Sequence, residues 1–159
     1  MMRRNFRQEI HVTLPVDEAF LLFTPKGEEA WVPGWSPDYI LPATGETGKD
    51  MIFRTGSGEE ATIWTCLDWQ PERHHVRYLR TTPALRVAFV QVDCCGADDN
   101  GTRVAVSYDY VPLTAKGQDM VARMTQETFS ADINGWSVLI ADYLQGAVGP
   151  DHPDQNILS

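Results

Sequence analysis

Thr125 and Asp132 are polar residues set into an otherwise apolar stretch, and their spacing of seven places them on nearly one line of a helix. A carboxylate buried without a partner costs several kcal/mol, so Asp132 must pair, take up a proton or meet water. A water-filled or ligand-filled cavity would meet that need. So would a place at the edge of the apolar stripe, where the carboxylate reaches solvent or an arginine. Both readings stand on sequence alone.

Anion capture is the second candidate chemistry. Arg73, His74, His75, Arg77, Arg80 and Arg86 make a locally basic hairpin in an acidic chain. If Arg80 or Arg86 points inward, it could hold a ligand carboxylate by paired hydrogen bonds. A solvated outer face is the expectation for this hairpin, since charged side chains are rarely buried. His74 and His75 are adjacent and diverge on a strand, and no HxH, HExxH or CxxC spacing accompanies them, so neither a metal site nor a cofactor is expected. Cys66, Ser107 and the tyrosines have no readable His or carboxylate partner, which leaves no nucleophile to assign.

Three look-alike motifs carry no chemistry. Gly45 to Lys49 is not a phosphate loop, because Ala43 stands at the first glycine position and Asp50 at the Ser/Thr position. Gly56, Ser57 and Gly58 lie between strands and read as a hairpin. His152, Pro153 and Asp154 fall in an aperiodic tail rather than between two helices.

These residues need elements to hold them. A long helix is predicted from about Gln118 to Gly146, with Val121, Ala122, Phe129, Ile133, Trp136, Leu139, Ile140, Tyr143 and Leu144 on one broad face. Thr114 could cap its start. A face this wide needs a large partner surface, which the strand-like segments between Ile40 and Pro112 supply. Strands are predicted near Ile40 and over Met51 to Thr55, Ala61 to Trp69, His75 to Thr81, Leu85 to Cys94 and Arg103 to Val111, punctuated by Gly, Pro and Asn-Gly turns. An earlier strand alternates through Ile10, Val12 and Leu14 after a fraying Met1 to Arg4. Val16 to Phe23 then reads as a short helix, and Glu28 to Val32 as one more turn. On the last strand Val104, Val106, Tyr108 and Tyr110 share the inward face, since Arg103, Ala105, Ser107 and Asp109 alternate with them. The strand from Ala61 to Trp69 stays unoriented, because Ile63, Leu67 and Trp69 compete with Trp64 and Cys66.

The aromatic residues Trp31, Trp35, Trp64, Phe89, Tyr108, Tyr110, Phe129 and Trp136 exceed what one small core ordinarily needs. Taken singly each fits packing; as a set, with Thr125 and Asp132, they are the candidate lining of an apolar pocket.

Composition bounds the partners. The 159 residues fit one domain over 5–147, with a flexible tail over 148–159. A formal net charge of −9 disfavours nucleic acid and anionic membrane surfaces. No apolar run approaches the ~20 residues of a membrane helix, so membrane insertion is not expected. Cys66, Cys94 and Cys95 are an odd count without CxxC spacing and suit a reducing cytoplasm. A homodimer is left open.

The order of strand, two short helices, six strands and a long amphipathic helix resembles the START-like superfamily, also called the Bet v 1-like (SRPBCC) or polyketide cyclase/dehydrase group. Five strings carry the resemblance: Ile10 to Phe20 around Pro15, Asp17 and Glu18; Trp31 to Trp35; Asp68 to Pro71; Gly101 to Arg103 with Pro112 to Thr114; and Gly135 and Trp136 with Leu139, Tyr143 and Leu144. It covers about Arg7 to Gly146. It implies an α+β helix-grip fold, a curved antiparallel sheet of about seven strands wrapped on a long C-terminal helix, with a cavity between them for lipids, polyketides or other apolar molecules. Binding of a small apolar or amphipathic ligand, with weak catalysis or none, is the leading expectation. A metal-free cyclase or dehydratase is the alternative, with proton transfer by Tyr108, Tyr110 or Asp132 by analogy to the cyclase branch. A module resembling the Hsp90 ATPase activators is the third reading, and it requires an exposed apolar patch over a small, filled interior.

Overall fold

The computed structural model describes residues 2–146. The proposed tail over 148–159, with its His-Pro-Asp string, lies outside the described residues. Seven strands are formed: β1 (Arg4–Val12), β2 (Asp38–Leu41), β3 (Ile52–Thr55), β4 (Thr62–Gln70), β5 (His75–Thr82), β6 (Arg86–Gly96) and β7 (Thr102–Pro112). They pair in the order β1-β7-β6-β5-β4-β3-β2, and every pairing is antiparallel. The strands at the two edges are consecutive in sequence. The link between them therefore crosses the whole sheet, and it does so through two short helices, α1 (Val16–Leu21) and α2 (Pro25–Glu28). The C-terminal segment forms α3 (Ala115–Arg123) and α4 (Gln126–Leu144). This is the helix-grip fold, an α+β architecture with one sheet face covered by helices.

Period-two alternation selects the buried face. Val76, Tyr78, Arg80 and Thr82 of β5 point inward, as do Arg86, Ala88, Val90, Val92 and Cys94 of β6 and Val104, Val106 and Tyr108 of β7. The ambiguous strand β4 is settled by a register shift between Cys66 and Asp68. Before it Trp64 and Cys66 face the core, while Ile63 is 43% exposed. After it Trp69 turns onto the core and stacks on Phe20 at 5.4 Å between ring centroids. A single bulge lets both competing sets hold on one strand.

Three expectations are corrected. The first strand begins at Arg4, not near Glu9: its early residues pair with β7 from Arg4 opposite Tyr110 to Val12 opposite Thr102, and Phe6 goes into the core. The second short helix starts at Pro25, in a stretch that reads as a breaker, because the Thr24 hydroxyl accepts from the Gly27 N–H and proline takes an early helical position. The long helix is two helices. Met124 and Thr125 leave the helical region, and the Thr125 hydroxyl accepts from the Thr128 N–H at 3.1 Å, which caps α4. Thr114 caps α3 in the same way, accepting from the Gly117 N–H at 3.1 Å.

Helix α4 packs along β1 and α3 along β7. Phe129, Ile133, Trp136, Leu139 and Ile140 of α4 are buried with Val121 of α3, whereas Ala122 and Leu144 are exposed. Near α1 and α2, Phe23 and Trp31 pack against each other and both against Trp136. Full burial of each such side chain contributes about 2–3 kcal/mol. Among the described residues no helix is long and apolar enough to cross a membrane.

Candidate functional site

Where α3 breaks and α4 begins, the sheet and the helices part around a cavity of about 250 Å³. Its floor is Phe6 of β1, Arg80 of β5, Arg86 of β6 and Tyr108 and Tyr110 of β7. Met120, Met124, Phe129, Ile133 and Trp136 form the roof. Thr125, Thr128 and Asp132, all exposed, form the mouth. Ala88 lies opposite Arg80 on one side and Tyr110 on the other, so a methyl group separates these two floor residues in the sheet.

The aromatic walls hold one another. Phe6 stacks on Phe129 at 5.6 Å between centroids, and Tyr108 meets Phe129 edge-on at 5.5 Å. Burial pushes the Tyr108 and Tyr110 phenols above their ordinary range, against the opposing pull of Arg80, so both remain protonated at neutral pH. Burial also lifts the Asp132 carboxyl above the usual carboxylate range.

The arginines are the correction with the largest consequence. Arg80 and Arg86 are only 5% and 6% exposed, not on a solvated outer face. Phase put them there: Gln91 and Asp93 mark the outer face of β6, which turns Arg86 inward, and Val76 and Tyr78 carry Arg80 inward on β5. That signal was in the sequence. Arg80 Cζ lies 5.4 Å from the Trp64 ring centroid, and its Nε has no hydrogen-bond partner. Arg86 donates from one nitrogen to Glu60 Oε1 at 3.4 Å, while its other terminal nitrogen, Nη1, has no partner. Burial disfavours the charged form of Arg80. The rest of the basic hairpin does lie outside the pocket: Arg77 sits over Phe89, His74 meets Asp17, and His75 lies between Asp68 and Asp93.

Of the residues singled out by sequence, Tyr108, Tyr110, Thr125, Phe129, Asp132 and Trp136 come together around the cavity. Four do not. Trp31 donates to the Leu22 carbonyl and backs Trp136; Trp35 donates to the Pro25 carbonyl; Trp64 donates to the Thr55 hydroxyl and lies flat on Phe53. Phe89 is on the outer face of β6 beneath the Arg77 guanidinium. Aromatic count signals a pocket but not which rings line it. Phe6, Met120, Met124, Thr128 and Ile133 were missed, and Arg80 and Arg86 take the inward placement that was the less expected of their two readings; Phe6 was hidden by the late placement of the first strand.

Asp132 is exposed at the mouth, so Asp132→Ala is expected to shift ligand affinity while unfolding stability stays within about 0.5 kcal/mol of the parent. Parallel urea melts and binding titrations check this, and unchanged affinity removes Asp132 from the site. Burial raises the Cys66 and Cys94 thiols to about 12, which keeps both protonated at neutral pH. Among the described residues, no three His, Cys, Asp or Glu side chains gather where a metal could sit.

Neither a protein-family model nor a curated protein sequence matches the chain. Solved structures do. An uncharacterized protein from Rhizobium leguminosarum superposes with a TM-score of 0.63 at 14% identity, over 88% of this chain and 95% of that one. The Zhui aromatase/cyclase from Streptomyces sp. R1128 gives 0.57 at 19% identity, over 92% and 94%. Norcoclaurine synthase from Thalictrum flavum gives 0.61 at 11% identity, over 89% and 88%. At these identities the likeness shows the shared fold, the Bet v 1-like helix grip.

Proposed function

We propose that this protein binds a small amphipathic molecule in the cavity between β1, β5, β6, β7 and the α3–α4 junction. The observation that carries the reading is the cavity itself: a lined space with apolar walls and a few inward polar groups, left where the fold could have closed on a solid core. Its volume is near the lower end of ordinary ligand sites, which run from ~300 Å³ upward. That size suits a compact, ring-bearing molecule better than a long acyl chain. The ring-rich surfaces of Phe6, Phe129 and Trp136 favour the same choice. A module acting only through its surface would be filled at this point, so the cavity weighs against the Hsp90-activator-like alternative. The buried free thiols fit a cytoplasmic setting.

A cyclase or dehydratase is the second reading, and one observation favours it. Asp132, lifted by burial, borders the same space as the protonated phenols of Tyr108 and Tyr110, which gives a bound enol both a proton acceptor and proton donors.

Native mass spectrometry of the freshly purified protein tests the main reading. A co-purified small-molecule mass, displaced by added aryl compounds, is the expected result. A bare protein mass together with no thermal shift across a library of aryl and alicyclic compounds would sink it.

A further inference from the structure

We propose that the ligand is a carboxylic acid, held acid-first on the Arg80 and Arg86 guanidinium groups with the Trp136 indole N–H as a third donor. The inference rests on the pocket reading and names the chemical class that the pocket selects.

Three buried side-chain polar atoms lack a hydrogen-bond partner among the described residues: Arg80 Nε, Arg86 Nη1 and Trp136 Nε1. All three are donors, and all three belong to residues that border the cavity. A buried donor left unmade is costly, and a buried charge without a counter-charge is more so. Native interiors leave only a few such groups unpaired, so their gathering on residues that line one cavity points to a partner that brings acceptors. The tyrosine hydroxyls at the same wall are protonated and can donate as well.

Charge makes the choice sharper. Arg80 lies opposite Ala88, and Arg86 is two residues along on the same face, so the guanidinium groups spring from diagonal neighbours about 7–8 Å apart at Cα. Like charges at that range repel, and each lowers the case for the other unless an anion sits with them. The chain has nine more acidic than basic side chains, yet no carboxylate among the described residues forms a salt bridge with Arg80. Glu60 reaches Arg86 only from outside, at 3.4 Å and with its own side chain 42% exposed. One partly neutralised and one free guanidinium leave room for a single negative charge, which suits a carboxylate better than a doubly charged phosphate. The planar guanidinium fork matches the two carboxylate oxygens. Asp132 stands at the mouth, so the field runs from negative at the entrance to positive at the floor and sets the acid inward. The rings of Phe6 and Phe129 then face the apolar body.

Calorimetric titration of the full chain with cinnamate, cinnamamide and cinnamyl alcohol tests the proposal. Cinnamate is expected to bind about tenfold tighter or more than either neutral analogue, a charge-assisted hydrogen bond being the difference. The preference should vanish in Arg80→Met, persist in part in Arg80→Lys, and fall by a smaller factor in Trp136→Phe. Equal affinities for the three compounds in the parent protein overturn the proposal and leave the pocket reading intact. So does a co-purified molecule with no acidic group. If none of the three binds, no mass co-purifies and no compound of the aryl and alicyclic library shifts the melt, the pocket reading fails and the proposal falls with it. The comparison in the parent protein decides the matter without relying on any variant.

Discussion

The Arg80→Met protein is expected to be more stable than its parent by about 1–2 kcal/mol while losing its preference for acids. Two effects oppose each other at this residue. The guanidinium is buried with no hydrogen bond at Nε and no salt bridge among the described residues, so its desolvation is uncompensated in the unliganded protein. Against that stands its place over the Trp64 ring at 5.4 Å, an attraction worth about 0.5–1 kcal/mol at exposed sites and ~2 when desolvated. Methionine keeps most of the volume, brings no charge and still meets the indole through its sulfur. Desolvation of an unpaired charge is the larger quantity, which sets the sign. The urea midpoint should rise at unchanged slope. A midpoint lowered by an amount equivalent to about 1 kcal/mol or more would mean that the fold, not a ligand, satisfies Arg80. Arg86 should behave differently: Arg86→Met removes the partner of a half-exposed Glu60, and a near-neutral result is expected there.

Gly117→Ala is expected to destabilise the protein by about 3 kcal/mol, although the same change in an ordinary helix interior gains up to ~1 kcal/mol. A Cβ built on Gly117 would lie 1.7 Å from the Leu85 carbonyl oxygen and 2.6 Å from its carbon. Neither is free to retreat. The Leu85 oxygen accepts from the Leu113 N–H at 2.9 Å, and the Gly117 N–H is tied to the Thr114 cap. Helix α3 must therefore lift from the β5–β6 turn, carrying Met120 and Met124 away from the cavity roof, so weakened ligand binding should accompany the lost stability. Gly48→Ala, where nothing lies within 4 Å, is the matched control and should stay within about 0.5 kcal/mol. Equal melts for the two variants would contradict the close packing of α3.

Much of the sheet was legible because turn residues and two-residue alternation act locally. The inward face of β7 follows from Arg103, Ser107 and Asp109 alone, and the structure agrees. Where one strand changes face, as β4 does at its bulge, no single phase fits and local reading stalls. The helix break was invisible for a different reason: Val121 and Phe129 fall on one helical face whether or not the backbone opens at Met124 and Thr125 between them. A threonine that caps a helix and one that interrupts it look the same in sequence. At the site, the phase of β5 and β6 already turned Arg80 and Arg86 inward. The general scarcity of buried arginine outweighed that phase, as it would in most proteins. Trp31, Trp35 and Trp64 show the converse: their indole N–H groups are all satisfied by the protein, a distinction that residue type cannot express.

The separation of packed tryptophans from the one at the cavity also sets what light can report. Of the five tryptophans, Trp136 borders the pocket, and Trp64 feels it only through Arg80. Ligand arrival will change the emission of one indole directly and another by charge, and Trp31, 5.9 Å from Trp136, and Trp35, 5.8 Å from Trp64, will share those changes in part, whereas Trp69 stacks on Phe20. Quenching by a bound acid should thus saturate well short of darkness, and a Trp136→Phe protein should keep only the part of that signal that reaches Trp64 through Arg80.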